Sequence, residues 1–416
     1  MDRKRMAELQ KRAPQNLAKP VNLWTSGLRP PQQFQIGLGV SQQVGTCASK
    51  LTEGKKALVV SDEVLCKIGT VDTMVSFLDE AGFSVEIFTN VEPEPHVETA
   101  DAIYEQYIER DISVMVGLGG GSVMDMSKLA AQALGNNLPP HSYADSKATP
   151  NNGGLPLILL PTTSGTGSEV STYVVVTCGQ EKRFFSDPHW LPNVSLIDPI
   201  LTVSMPPSVT ATTGMDALTH AVEGIMNVNN TPMCEALCLS AIDRIAKCLR
   251  RAVAVGEDLE ARYNMLVGSS MAMMGFNMAG GGLYAHSVSF VIPVYKPAPH
   301  GLGCALGLPY LMDYNLQTIT DRLSKIANAM GEPVLTNSQL VAAKKAVHVV
   351  ISLMKDIGLP LTLKDFGINE DDVEKMAVQM IEIFPRPFNP RPMNKEDSIK
   401  YWRAMYDGRL VGSCVV

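Results

Sequence analysis

The order of hydrophobic and polar residues gives the first part of the chain a repeating pattern of short strands and helices. Between residues 55 and 161, the β-rich runs KKALVVSD, FSVEIFTNV and DISVMVGLG alternate with helical stretches, and LPLILLP follows as a further buried strand. Strands that alternate with helices predict a parallel, Rossmann-like sheet. Such sheets commonly bind nucleotides at the carboxyl ends of their strands.

The pattern changes after the proline-containing segment IDPILTVSMPP, residues 197–207. The following segments, SVTATTGMDALTHAVEGIM, PMCEALCLSAIDRIAKCLRRAV and LEARYNMLVGSSMAMMGF, show helical spacing with almost no strand signal. We therefore predict an α/β N-terminal domain over residues 1–205 and an all-α C-terminal domain over residues 206–416. Residues 1–30 form an N-terminal extension of the first domain.

Composition narrows the class of protein. Of 416 residues, 45% are hydrophobic and 19% are charged, which predicts a globular protein with large cores. The net charge of -7 argues against a nucleic-acid-binding protein. The sequence has no signal-like N-terminus and no run of about 18 apolar residues, so we expect a cytoplasmic protein without a membrane span. A short basic helix in the extension could serve as a targeting address, although a solvated terminus explains it as well. The eight scattered cysteines predict buried, reduced thiols.

Two loops at predicted strand ends could hold phosphate groups. Gly120, Gly121 and Ser122 follow one strand and open a helix, where free backbone N–H groups and the helix dipole attract an anion such as a diphosphate. Thr162 and Thr163 lie in the segment PTTSGTGSE, whose small and hydroxyl side chains allow close approach to a ligand. An ordinary strand-to-helix turn and a polar capping turn are the structural alternatives.

Asp62 follows the strand KKALVV. A carboxylate at this place in a parallel sheet can accept hydrogen bonds from the ribose hydroxyls of NAD and repel the additional phosphate of NADP. The alternative is that Asp62 caps the next helix.

Four residues in the helical part could bind one metal ion. Asp216 and His220 are four positions apart and project from the same helix face, while His286 and His300 come from nearby segments. One carboxylate and three imidazoles suit Fe(II) or Zn(II) and leave a coordination position open for a substrate oxygen. Taken singly, each histidine is also compatible with a hydrogen-bonded position in the core.

The motifs GGGSVMDMSK, PTTSGTGSEVS and GMDALTHAVEG, the stretch from His286 to His300 and the later segment NPRPMNKEDSIKYWRAMYDG occur in one order. In this order the chain resembles the iron-dependent, group III alcohol dehydrogenase family from about residue 35 to the end. The resemblance implies a dehydroquinate synthase-like fold, in which a nucleotide-binding α/β domain and a helical domain enclose a catalytic cleft.

The resemblance also assigns roles to individual residues. It implies that the metal ligands, which are the catalytic residues, are Asp216, His220, His286 and His300. It implies cofactor contacts at Asp62, Gly120, Gly121, Ser122, Thr162, Thr163 and Lys182. Many members carry a second histidine four positions after the third ligand, where this chain has Phe290. Water or the ribose hydroxyls then become the candidates for proton transfer.

The implied function is hydride transfer between NAD(H) and a small primary alcohol, diol or aldehyde. We expect NAD rather than NADP, Fe²⁺ with Zn²⁺ as the alternative, and a homodimer or higher homo-oligomer. The alternatives are a zinc-dependent polyol dehydrogenase, a dehydroquinate-synthase-like lyase, a phosphate-binding kinase or transferase, and a non-enzymatic metal-binding protein. The absence of GxxxxGK[ST] speaks against the kinase. For the charges at Lys296 and at the arginines of residues 386–391, we expect solvated surface rather than contact with an anionic aldehyde.

Overall fold

The computed structural model describes residues 31–179, 181–334 and 338–410. The whole N-terminal extension, residues 1–30, and with it the predicted basic helix, lies outside these residues, as does Cys414.

A six-stranded parallel sheet forms the centre of the first half. Its strands are β1 (Gln33–Ile36), β2 (Lys56–Val60), β3 (Ser84–Phe88), β4 (Val114–Gly119), β5 (Leu157–Pro161) and β8 (Val194–Ile197). They lie in the order β1-β8-β5-β4-β2-β3, and every neighbouring pair is parallel. The predicted Rossmann-like sheet is confirmed, and β1 and β8 extend it beyond the strands that the sequence pattern indicated.

Helices cover both faces of this sheet. Side chains of β2 alternate between two cores, with Leu58 in one and Val59 in the other, as expected for a strand that is buried on both sides. The helices of this half are α1 (Val44–Leu51), α2 (Glu63–Lys67), α3 (Thr70–Glu80), α4 (Val97–Tyr107), α5 (Gly121–Asn136) and α6 (Pro140–Ala144).

The sheet has a topological switch point between β2 and β4. From β2, the chain first adds β3 on one side and then places β4 on the other. Ligands of open α/β sheets bind in the crevice at such a point, outside the carboxyl ends of the strands. The residues that follow the two strands are Asp62 and Gly120, so the topology places two predicted cofactor contacts at the same crevice.

An antiparallel hairpin, which the sequence analysis did not predict, stands beside the sheet. It consists of β6 (Tyr173–Cys178) and β7 (Glu181–Ser186), and its register pairs Thr177 with Lys182. The hairpin therefore determines where the side chain of Lys182 lies.

The second half of the described chain is helical, as predicted. Its helices are α7 (Pro207–Met226), α8 (Pro232–Ala254), α9 (Leu259–Met278), α10 (Tyr284–Tyr295), α11 (His300–Asn315), α12 (Thr320–Ala329), α13 (Gln339–Asp356), α14 (Leu363–Phe366), α15 (Val373–Ile383) and α16 (Lys395–Asp407). They share one large hydrophobic core, in which Met215, Leu218 and Val222 of α7 are fully buried. No helix of the described residues is long and apolar enough to cross a membrane.

The domain boundary near residue 205 stays a prediction, with β8 ending at Ile197 and α7 beginning at Pro207. The expected homo-oligomer also stays a prediction. The cysteines fit the expectation of reduced, buried thiols only in part, because Cys66 is exposed and Cys178 is half-buried.

Candidate active site

A cleft of about 1520 Å³ lies where the carboxyl edge of the sheet meets the helical half. Its walls include Gly120 and Asp62 from the sheet side and Asp216 and His300 from the helical side. Pockets for single small molecules usually measure about 300–1,000 Å³. The cleft is therefore large enough for a dinucleotide and a small substrate together.

The glycine turn places a helix N-terminus in the cleft. Gly120 is the N-cap residue of α5, and no side chain caps the free N–H groups of its first turn. A Cβ at Gly121 would lie only 2.6 Å from Cγ2 of Thr166, so the residue must be glycine for the turn to pack against the PTTSGTGSE segment. The two predicted phosphate-binding loops thus touch, which brings Thr162 and Thr163 into the same cleft wall.

Asp62 and Lys182 also line this cleft. Asp62 caps α2 by accepting a hydrogen bond from the Leu65 N–H through Oδ1, at 2.9 Å, so the capping alternative is correct. Capping leaves the cofactor role open, because a carboxylate has a second oxygen. Lys182 forms an ion pair with Glu94, whose backbone N–H donates to the Ser122 hydroxyl at 3.3 Å.

The four predicted metal ligands lie close together. Asp216 and His220 are one turn apart on α7, His286 is in the first turn of α10, and His300 begins α11. Oδ1 of Asp216 lies 3.8 Å from Nε2 of His286 and 3.6 Å from Nε2 of His300. The rings of His220 and His286 stack with centroids 4.7 Å apart.

Polar atoms without a partner converge in this cluster. Oδ1 of Asp216, Nδ1 of His220 and Nε2 of His286 are buried and have no hydrogen-bond partner among the described residues. Buried polar atoms are nearly always paired, because leaving one unpaired costs about 1–3 kcal/mol. Three such atoms with oxygen and nitrogen lone pairs fit a divalent cation, so the residues present suit the predicted metal.

A close approach of two helices brings the ligands together. A Cβ at Gly301 would collide with the backbone carbonyl of Thr212, so α11 can begin this close to α7 only because glycine has no side chain. His300 directly precedes Gly301 and is consequently held beside Asp216.

Cys304, one turn after His300, borders the same cluster. Its Sγ belongs with Asp216, His286 and His300 to a group of ligand atoms within 4.8 Å of one another, and His220 is not in that group. The thiol is engaged with Nε2 of His300 at 3.6 Å, and burial raises its pKa well above the ordinary value. The structure therefore offers two candidates for the fourth donor, the unpaired Nδ1 of His220 and Sγ of Cys304.

Glu223 is a buried residue of the site that the sequence analysis missed. It lies on α7, and its carboxylate accepts a 2.7 Å hydrogen bond from Nδ1 of His286 and further hydrogen bonds from the backbone N–H groups of Leu283, Ala285 and His286. Burial acts to raise the pKa of Glu223, but His286 and these hydrogen bonds lower it below the ordinary value. The bond to Nδ1 turns Nε2 of His286 towards Asp216. The available signal was the position of Glu223 three residues after His220.

Aromatic rings form the wall beside the metal cluster. Phe290 packs against His300, Phe384 and Phe184, with ring centroids 5.4, 5.2 and 6.2 Å apart. Phe290 therefore puts a hydrocarbon surface where many members of the resembled family place a second histidine.

The expectation of solvated surface charge is wrong for Arg386. This residue is half-buried and lines the cleft, where its Nε donates a 2.7 Å hydrogen bond to the Ser287 hydroxyl. Lys296 binds the backbone carbonyls of Phe366 and Gly367. Arg391 stacks on Tyr314, with its guanidinium carbon 4.1 Å from the ring centroid.

A buried polar network supports the phosphate-binding loops. Asp125 of α5 accepts hydrogen bonds from the Ser168 hydroxyl at 2.6 Å and from the Val175 N–H at 3.0 Å. Glu169, fully buried in the same segment, accepts a 2.8 Å hydrogen bond from the Ser270 hydroxyl of α9. The network links the glycine turn, the hairpin and the helical half, and the sequence analysis did not find it.

A parallel sheet with a crevice suited to a nucleotide, facing a helical half with a cluster suited to a metal ion, is the arrangement of an enzyme that uses both groups. Residues 31–199 match the family model described as "Iron-containing alcohol dehydrogenase". Residues 210–406 match "Fe-containing alcohol dehydrogenase family, C-terminal". The chain belongs to the iron-containing alcohol dehydrogenase family and is an enzyme of that type.

Known proteins resemble the chain over nearly its whole length. Long-chain-alcohol dehydrogenase 1 of Geobacillus thermodenitrificans is 37% identical over 391 residues, which cover 92% of this chain and 97% of that protein. The crystal structure of a 1,3-propanediol oxidoreductase superposes with a TM-score of 0.86 at 35% identity, covering 91% of this chain and 98% of that one. Sulfoacetaldehyde reductase of Bifidobacterium kashiwanohense, solved in complex with NAD+, has a TM-score of 0.81 at 27% identity, with coverage of 93% and 98%.

Proposed function

We propose that this chain interconverts small primary alcohols or diols and their aldehydes with NAD(H), at a metal held by Asp216, His220, His286 and His300. The observation that carries the proposal is the convergence of three unpaired buried atoms, on Asp216, His220 and His286, in a cleft that also contains the N-terminus of α5. In such an enzyme the bound groups supply Lewis acidity at the substrate oxygen and hydride transfer at the substrate carbon.

The residues of this chain bind, orient and exclude water. Gly120, Gly121 and Ser122 offer backbone N–H groups to the pyrophosphate, with Thr162 and Thr163 beside them in the same cleft wall. Phe290 and Phe184 cover the reacting end of the cleft with hydrocarbon and keep water from the hydride path. Holding the reactants in one orientation is the main contribution of the protein to such a reaction.

Aldehyde reduction adds one hydride and one proton to the carbonyl group and leaves the dinucleotide oxidised. Phe290 cannot donate the proton, so we assign the proton to water that enters along the ribose or to the ribose hydroxyls. Lys182, held by Glu94 in the cleft wall, is a further cofactor contact in this proposal.

For the dinucleotide we propose NAD rather than NADP, and for the metal Fe²⁺ rather than Zn²⁺. Asp62 supports the first choice, because its negative charge at the crevice would repel the additional phosphate of NADP. The family description supports the second choice. The ligand set itself accepts either metal.

The test combines metal analysis with turnover. Protein loaded anaerobically with Fe²⁺ should retain about one metal ion per chain and oxidise NADH in the presence of butanal. Asp216→Ala should lose both the metal and the aldehyde-dependent turnover, whereas the matched exposed-site variant Asp243→Ala should keep both. Full activity in metal-free Asp216→Ala protein would refute the proposal.

A further inference from the structure

The guanidinium group of Arg386 has few hydrogen-bond partners among the described residues. Its only side-chain hydrogen bond within the described residues is the one from Nε to Ser287, and no described carboxylate lies within 4.0 Å of its guanidinium group. Charged groups inside a protein are normally paired, because removing them from water is costly. The two terminal nitrogens of Arg386 are consequently available to a ligand.

Glu223 does not serve as the missing partner. Its two carboxylate oxygens are engaged by Nδ1 of His286 and by three backbone N–H groups, at distances from 2.7 to 3.3 Å. Burial lowers the pKa of the Arg386 guanidinium group, and the negative charge of Glu223 partly offsets this effect without forming an ion pair. The two terminal guanidinium nitrogens of Arg386 therefore have no hydrogen bond to Glu223.

The position of Arg386 relates it to the substrate end of the cleft. Its anchor, Ser287, directly follows His286, and consecutive Cα atoms are only about 3.8 Å apart. Phe384 of the same loop packs on Phe290, which in turn packs on His300. Arg386 thus lines the same cleft as the metal cluster and is anchored to the helix that carries His286.

We propose that Arg386 binds the oxyanion tail of the substrate, so that this enzyme acts on short aldehydes or alcohols that carry a carboxylate or similar group a few carbons from the reacting oxygen. The inference rests on the proposed function. A guanidinium group presents a planar fork that matches the two oxygens of a carboxylate, and a bidentate pair fixes the orientation of the ligand as well as its affinity. The phenyl rings of Phe290 and Phe384 suit the short hydrocarbon segment between the two ends.

The experiment compares 4-oxobutanoate with butanal, which have the same number of carbons and differ in the carboxylate. We expect the metal-loaded protein to reduce 4-oxobutanoate with the higher kcat/KM. In Arg386→Gln that value should fall by about 10- to 100-fold, mainly through KM, because a hydrogen bond to a charged group is lost. The kcat/KM for butanal should stay within about twofold of the parent value.

Two further variants control for charge and folding. Arg391→Gln removes the same charge from the same loop at a position stacked on Tyr314, and it should leave both substrates unaffected. Arg386→Lys keeps the charge but not the planar fork, so it should show an intermediate loss for 4-oxobutanoate. It also keeps the test valid if Arg386→Gln fails to fold.

A binding measurement separates this inference from the proposed function. Isothermal titration of the NAD+-loaded protein with succinate should show binding to the parent protein and none to Arg386→Gln. If succinate binds through Arg386 but neither aldehyde is reduced, the proposed function fails and the anion site stands. If butanal is reduced but Arg386→Gln affects both aldehydes equally, the anion site fails. A weaker affinity of Arg386→Gln for NADH would assign the guanidinium to the dinucleotide and overturn the inference.

Discussion

Replacing Glu223 by glutamine should weaken metal binding while leaving the fold intact. The carboxylate receives two donors on each oxygen: Leu283 N–H and His286 Nδ1 on Oε2, and the N–H groups of Ala285 and His286 on Oε1. Glutamine has nearly the same shape but only one accepting oxygen. In either amide orientation its NH₂ group therefore faces two donors.

The expected magnitude follows from these contacts. Each buried donor that loses its acceptor costs about 1–3 kcal/mol, so Glu223→Gln should lower the free energy of unfolding by a few kcal/mol at most after local adjustment. Residues that accept a hydrogen bond from the second ring nitrogen of a metal-binding histidine contribute about 10- to 100-fold to metal affinity, which corresponds to about 1.4–2.8 kcal/mol. The loss arises because the neutral amide no longer fixes the His286 ring or increases its basicity.

The assay is competition for Zn²⁺ or Fe²⁺ against a chelator of known affinity, with urea unfolding of the metal-free protein in parallel. Glu169→Gln is the matched control, since Glu169 is also a fully buried glutamate but bonds to Ser270 and to none of the metal-cluster histidines. A folded Glu223→Gln protein with parental metal affinity would show that this carboxylate does not position His286.

Three other substitutions test separate parts of the site. Asp62→Ser keeps a helix-capping side chain but removes the charge, and should reduce the preference for NADH over NADPH, read as the ratio of kcat/KM values, by about tenfold or more. Gly121→Ala should weaken NADH binding in a fluorescence titration, because its Cβ would lie 2.6 Å from the Thr166 methyl group, and a second change, Thr166→Ser, should restore part of the affinity. Burial raises the pKa of Glu169 above 4.5, so ionisation of Glu169 destabilises the folded parent protein as the pH rises from 4.5 through the folded pKa. Glu169→Gln cannot ionise, so its free energy of unfolding in urea should increase relative to that of the parent over this pH range. A difference that stays constant with pH would contradict the assignment.

Much of the fold could be predicted because β2, β4 and β5 are buried on both faces and the strands β2 to β5 are separated by regular helices. β1 and the hairpin escaped prediction for a physical reason. The four residues of β1 are all half-buried, and β7 alternates between half-buried and exposed positions, so neither shows the continuous apolar run of a central strand. Their places are set by pairing with distant segments, β1 with β8 in particular.

The site could be predicted in outline for a similar reason. The spacing of Asp216 and His220 on one helix is a local signal, and His286 and His300 became candidate ligands as imidazoles in nearby segments. The family resemblance then implied the same ligand set. Glu223 gives only the local signal of its position three residues after His220, and Arg386 gives none, because an isolated charged residue in a sequence most often lies in solvent. Their importance comes from burial and from partners that only the folded chain brings together.

The polar groups of the cleft indicate a ligand-binding site rather than a gap between two halves. On its helical side, the carboxylate of Glu223 is fully engaged by four donors. Asp216 keeps an unpaired oxygen and Arg386 keeps uncommitted nitrogens, although pairing them would stabilise the folded protein. Unpaired groups of opposite charge in one cleft lower the stability of the folded protein and are therefore not explained by folding alone. We infer that they suit a ligand with an electron-rich oxygen at one end and a negative charge at the other, where Asp216 would help to hold the metal and the metal would supply Lewis acidity.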